Sequence, residues 1–220
     1  MAAGELVQLL WEGLLQTLYM TLVATLVAYI IGLPIGVSLV TSGPNGIRPR
    51  PVYNKVMGFI VNVVRSVPFL ILMIALMPYI RKIIGTGIGT SATTAALIVA
   101  AAPFVARMVE QSILEVDPGV IEAAQAMGAS NFQIIKKVML LEARPSLLNG
   151  AAVATITILG YSAMAGSIGG GGLGDIAIRY GLYRFQPAIM WITVIVLVVL
   201  VQVMQEIGIK VAAKLDNRIS

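Results

Sequence analysis

Three stretches of this chain have residue types and spacings that invite a chemical reading, while most other routes to chemistry are closed. Gly169 to Gly174 formally satisfies G-x-G-x-x-G. That pattern binds a dinucleotide only after a strand in a βαβ unit. Here it follows a long apolar segment, so a tight turn or re-entrant excursion is the better reading. Gly160-Tyr161-Ser162-Ala163-Met164 approaches a serine-nucleophile elbow but ends in Met where G-x-S-x-G needs Gly, and the chain holds no His to act as base. There is no Cys either, which removes thiol nucleophiles, thiolate metal sites and disulfides. No G-x-x-x-x-G-K-[ST] occurs, so ATP cannot be cradled here by the P-loop route. No paired carboxylates lie within an apolar segment to hold Mg²⁺ or act as acid and base, which disfavours a membrane-embedded protease or lipid transferase. The third stretch, Glu122-Ala123-Ala124-Gln125-Ala126-Met127-Gly128, suits mechanical contact rather than a reaction. Its adjacent alanines let a partner backbone come close, Glu122 can pair with a basic groove, and Gly128 permits a sharp exit.

The elements that position these stretches follow from composition. Of the 220 residues 58% are hydrophobic and 11% charged, with a mean hydropathy of +0.93. A soluble domain carries about 25% charged residues, so the apolar surplus calls for a bilayer. Five segments are long enough to cross ~30 Å of hydrocarbon. They run from about Leu14 to Val40, Met57 to Tyr79, Gly89 to Ala106, Ser146 to Ala165 and Ala188 to Met204. The first contains Gly32-Leu33-Pro34-Ile35-Gly36, which predicts a kink and a close helical neighbour. The last is the most purely aliphatic and hence the most exposed to lipid. Met1 to Leu10 holds Glu5 and no Lys or Arg, unlike a signal peptide's positive start, and the apolar run after it is too long for one. The fold class is therefore an all-α membrane protein with five transmembrane helices. Residues 1–13 read as an extracytoplasmic tail, 14–208 as the membrane domain and 209–220 as a cytoplasmic tail.

Basic residues orient the bundle. With the N-terminus outside, Arg48, Arg50, Lys55, Arg65, Arg107, Lys136, Lys137, Arg144, Lys210, Lys214 and Arg218 all fall on the inner side. Only Arg81, Lys82, Arg179 and Arg184 fall outside. The reverse arrangement would violate the positive-inside tendency. The net charge of +5 is accounted for in this way, and no basic stripe with interleaved aromatics suggests nucleic acid. The inner loop from Arg107 to Arg144 carries helix punctuation. Asp117-Pro118 reads as an N-cap with Pro at the first helical position. A short helix from Gly119 to Met127 then ends at Gly128. Ser130-Asn131-Phe132-Gln133 opens a second helix with a capping box, and that helix runs through about Leu141 until Arg144-Pro145 breaks it. A structured elbow suggests that something docks there.

In this setting the Glu122–Gly128 stretch resembles the "EAA" loop of the binding-protein-dependent transport permeases, the membrane subunits of type I ABC importers. The match comprises Glu122, Ala123 and Ala124, the Gly at 128, and a following helix that ends near Leu140-Leu141-Glu142-Ala143-Arg144-Pro145. The family's usual adjacent Leu-Pro pair is separated here into Leu141 and Pro145. Arg65-Ser66-Val67-Pro68-Phe69, Ala101-Ala102-Pro103-Phe104-Val105-Ala106-Arg107, Gly160-Tyr161-Ser162-Ala163-Met164 and Ile168-Gly169-Gly170-Gly171-Gly172-Leu173-Gly174 look like the methionine-importing members of that family. Polar amino-acid permeases tend to show Arg-Gly-Thr-Pro where this chain has Arg65-Ser66-Val67-Pro68. The resemblance extends from about Glu12 to Met204.

That resemblance implies a permease subunit importing D- and L-methionine across the bacterial cytoplasmic membrane by alternating access. Another amino acid or a small peptide is the alternative cargo. It implies ATPase coupling through Glu122, Ala123, Ala124 and Gly128. No cofactor is implied in this chain, since ATP and Mg would bind two partner ATPase subunits. The other partners would be an extracytoplasmic substrate-binding lipoprotein and a second copy of the chain, since five helices are few to enclose a solute path. Met164 matches a gate-like position, and a flexible thioether can plug a constriction yet give way. Tyr161 and Ser162 are either path residues or plain helix packing. Arg65 either snorkels to the interface or lines the cytoplasmic mouth as part of the inner gate.

Overall fold

The computed structural model describes residues 3–215, and among these the regular structure is entirely helical. The expected positions Met1, Ala2 and 216–220, including Arg218, lie outside the described residues. Helix α1 spans Ala3–Ser42, α2 Pro51–Ser66, α3 Phe69–Ile84 and α4 Thr90–Leu114. The elbow follows as α5 (Pro118–Ala126), α6 (Asn131–Ile134), a π-helical stretch (Ile135–Met139) and α7 (Leu140–Glu142). Then come α8 (Arg144–Ala165), a 3₁₀ turn (Gly166–Ile168), α9 (Gly172–Ile176), a second π-helical stretch (Ala177–Tyr183) and α10 (Pro187–Leu215). Among the described residues four helical segments are long and apolar enough to cross a membrane, and a fifth crossing arises if the bent pair α2 and α3 counts as one.

That pair corrects the expectation of one continuous span from Met57 to Tyr79. The chain breaks at Val67-Pro68 and the two helices are bent by 103°. Pro68 has no N–H to continue α2 and pushes the residue before it out of the helical region. Pro68 itself is extended at φ −55° and ψ 133°. The Ser66 hydroxyl donates to Asn62 O at 2.8 Å, so a carbonyl at the end of α2 keeps a partner. The helices beside the elbow also differ from expectation. Helix α4 continues to Leu114, so Arg107 lies inside a helix rather than in the loop. The break before α8 falls at Ala143, and Pro145 sits in the first turn of α8, where its missing N–H costs nothing. Helix α1 stays helical through Pro34 and includes residues 3–13, which read as a tail.

The chain forms two units. One contains, of the described residues, 3–27, then Val67–Ala101 and Ala154–Gln205. Its core holds Leu173, Ile176 and Ile189, packed by Leu6, Leu10, Leu14 and Val196 among others. The glycine-rich turn is seated here by direct hydrogen bonds. Gly89 N donates to Gly169 O at 2.9 Å, and the Thr93 hydroxyl donates to Gly170 O at 3.2 Å. Helix α9 begins at a glycine that offers no capping side chain. Instead Gly172 N donates to Gln16 Oε1 at 2.8 Å and Leu173 N to Thr17 Oγ1 at 2.9 Å, so α1 supplies the cap.

The other unit contains Ala28–Ser66, Ala102–Val153 and, of the described residues, 206–215. Small residues set its packing. A Cβ on Gly36 would lie 2.5 Å from Ala106 O, and one on Gly32 would lie 2.7 Å from Ala102 O. Helices α1 and α4 thus meet backbone to backbone, as small-xxx-small pairs allow in lipid. Asn54 Nδ2 donates to Leu39 O at 2.6 Å, which ties α2 to α1.

Candidate functional site

The elbow is a pair of locally specified helices. The carboxylate of Asp117 accepts from Gly119 N at 2.7 Å and Pro118 occupies the first helical position, so α5 starts with its orphan donors satisfied. Its other end is a Schellman closure. Gly128 N donates to Gln125 O at 2.9 Å and Ala129 N to Ala124 O at 3.1 Å. That geometry needs a left-handed residue, and Gly128 supplies φ +77°. Ser130 then opens α6 with the expected capping box, its N–H donating to Gln133 Oε1 at 2.8 Å. Ile134 and Met139 are fully buried and anchor the elbow within its unit.

The 100° step of a helix separates the two alanines that the sequence places side by side. Ala124 is 4% exposed and faces its own unit, whereas Glu122, Ala123, Gln125 and Ala126 lie on the open face. Only part of the Glu122-Ala123-Ala124 triplet is therefore available to a partner. Sequence reasoning missed the apolar rim beside it: Met127 is 81% exposed, Phe132 71% and Val120 43%. The signal was present, since large apolar residues at both ends of an otherwise small and polar helix have no core of their own to join. Behind the elbow a cavity of about 360 Å³ is lined by Ser112, Glu115, Glu142, Ser146 and Asn149 among others. The Ser146 hydroxyl donates to Ser112 Oγ at 3.0 Å across it.

Tyr161, Ser162 and Met164 share α8 but not a face. The Tyr161 ring stacks on Phe69, centroids 4.9 Å apart and planes 7° from parallel. Ser162 is 1% exposed and its hydroxyl donates to Leu159 O of the same helix at 2.7 Å, so it has no free surface to offer a path. Met164 is 55% exposed on the outside of this chain. Beyond it the backbone turns tightly, because a Cβ on Gly174 would overlap Ala163 and one on Gly166 would overlap Gly174 and Asp175. Arg65, in the elbow's unit, is exposed in the last turn of α2, where a cation complements the helix C-terminus. Among the described residues no three His, Cys, Asp or Glu come together as metal ligands would.

Comparison with known proteins adds relatives to this geometry. The family model described as binding-protein-dependent transport system inner membrane component matches residues 29–207. The chain is 48% identical to the probable D-methionine transport system permease protein MetI of Vibrio cholerae, over 92% of this chain and 90% of that protein. It is 42% identical to the methionine import system permease protein MetP of Bacillus subtilis, over 95% of this chain and 94% of that one. Among solved structures it resembles a chain of the MetNI methionine ABC transporter in an inward-facing conformation, with a TM-score of 0.96 and 41% identity. That likeness covers 99% of this chain and 100% of the other.

Proposed function

Because this chain belongs to the family of binding-protein-dependent transport inner-membrane components, we propose that it is the permease subunit of an ATP-driven importer whose cargo is methionine. It is a multi-pass component of the inner membrane, and its work is transport. ATP hydrolysis takes place on separate ATPase subunits. The observation that carries the mechanism is α5, a helix capped at both ends that holds Glu122 and Ala123 outward between the exposed Val120 and Met127. Such a peg fills a cleft of matching shape, with apolar ends excluding water and the carboxylate meeting a basic wall. The N-terminus lies outside and the elbow faces the cytoplasm, a reading supported by the excess of Lys and Arg on that side.

Two copies of the chain enclose the path, and a substrate-binding protein delivers methionine from outside. Closure of the ATPase pair draws the two α5 pegs together and reverses the access of the bundle. The solute path needs differential contact in its two states rather than high affinity. Met164 is the flexible constriction, Tyr161 fixes the helix behind it through the Phe69 stack, Ser162 packs within that helix with its hydroxyl on Leu159 O, and Arg65 sits toward the cytoplasmic mouth. Residues 14–208 form the membrane domain. Cargo identity rests on the 48% and 42% identities to methionine permeases.

The test is co-expression of the chain with its ATPase and reconstitution with the binding protein in proteoliposomes. The wild type is expected to accumulate methionine only with internal ATP. Glu122→Lys is expected to release the ATPase on purification while the permease still inserts. Full ATPase retention and uptake in Glu122→Lys would remove α5 as the coupling element, and ATP-driven uptake of another amino acid with none of methionine would remove the cargo.

A further inference from the structure

We propose that Arg107 is a positioning residue of the transport cycle, the tie that makes α2 travel with the coupling elbow; the inference rests on the permease reading above. Arg107 and Glu110 are the only basic and acidic residues of α4, a helix otherwise built from apolar and small uncharged residues with a single Gln. The Arg107 side chain is 20% exposed and its guanidinium makes three directed contacts. Nη1 reaches Glu110 Oε2 at 2.5 Å on its own helix. Nη2 donates to Gly58 O at 3.1 Å and to Asn62 Oδ1 at 2.9 Å, both on α2.

Holding α2 against α4 does not require a charge. The portions of α1 and α4 in the same unit pack through Gly32 and Gly36 with no ion at all, and an apolar pair of similar volume is commonly as stable as a buried ion pair or more so. What the guanidinium adds is direction. Apolar helix contacts permit small sliding movements, but the planar fork of Arg fits acceptors at fixed places. Gly58 and Asn62 are one turn apart on α2, so a slip of a single residue, about 1.5 Å along the axis, would carry both acceptors off the fork. Helix α4 runs on from Arg107 to Leu114 and, through the Asp117 cap, directly into α5. A displacement of α5 is therefore passed to α4, and through Arg107 to α2 in fixed register. Without the tie, α4 moves and α2 lags.

The experiment uses the complete transporter in proteoliposomes with its binding protein and reads methionine taken up per ATP hydrolysed, together with the thermal midpoint of each purified complex. Arg107→Lys keeps the charge for Glu110 but replaces the rigid fork, whose Nη1 serves α4 and whose Nη2 serves α2, by one rotatable ammonium that fixes no register, and Asn62→Ala removes one acceptor while leaving the ion pair whole. Both are expected to keep the complex assembled and hydrolysing ATP, while the ratio falls by roughly 2- to 30-fold, the range produced by loss of one coupling element. Arg107→Ala should lower it at least as far, and if that complex fails to assemble the other two variants decide the matter. A merely structural role would lower the thermal midpoint and leave the ratio alone. Wild-type ratios in both Arg107→Lys and Asn62→Ala would overturn the tie. A wild-type complex that takes up no methionine with ATP would instead overturn the permease reading.

Discussion

The same substitution at two adjacent positions separates the packing role of α5 from its proposed docking role. Ala124 is 4% exposed against its own unit, and Ala123 lies on the open face. Replacing either by Leu adds an isopropyl group and changes helix propensity little. At Ala124 the added volume must displace packed atoms, which costs about 1–3 kcal/mol. At about 1.4 kcal/mol per decade that is a roughly 5- to 150-fold loss in the folded ratio. At Ala123 the same group enters water in the isolated permease, where surface changes stay within about 0.5 kcal/mol. On the proposed docking it enters a closely packed cleft in the complex, so the overpacking of about 1–3 kcal/mol falls on the ATPase contact and weakens it by a similar factor. The assay compares the monodisperse fraction of each purified permease after graded heating with the ATPase retained on co-purification. Ala123→Leu should heat like the wild type yet lose the ATPase, and Ala124→Leu should lose heat resistance first. If Ala123→Leu keeps both the ATPase and uptake, the open face of α5 is not the contact and the reasoning fails.

Two further predictions rest on equally local geometry. Gly36→Val should lower the thermal midpoint through an overpacking cost of about 1–3 kcal/mol, because the added Cβ meets Ala106 O at 2.5 Å and a backbone carbonyl cannot retreat; Gly4→Ala, with nothing within 4 Å of the added atom, is the neutral control. Met164→Ala should raise ATP hydrolysis without substrate and depress uptake by loosening the constriction, whereas Ser162→Ala should transport like the wild type, since its hydroxyl serves only Leu159 O; equal behaviour of the two variants returns Met164 to simple packing.

The class of fold was legible because the bilayer imposes it along the chain. A surplus of apolar residues in runs of about 20 leaves helices as the way to satisfy every backbone group in lipid. The elbow was legible for a related reason. The Asp117 cap, the Gly128 exit and the Ser130–Gln133 box are bonds between residues no more than a few positions apart, so residue order alone specifies them. The Val67-Pro68 break was half visible. A proline also sits within α1, α3 and α4 without ending those helices, so proline by itself did not mark the break.

Tertiary structure alone decided which residues meet across the chain. The caps of α9 come from Gln16 and Thr17, 156 positions away, and Arg107 finds Gly58 and Asn62 at separations of 49 and 45. Read as sequence, Arg107 was one more basic residue of an inner loop. Which alanine of the adjacent pair turns inward, and that Ser162 is enclosed while Met164 is open, likewise depended on neighbours that periodicity does not name. Short-range order follows from bonds a residue makes with its own turn, and bulk hydropathy from the solvent it must enter. The facing of a single side chain follows from whichever distant helix the fold lays against it, and the residue order along one helix does not contain that partner.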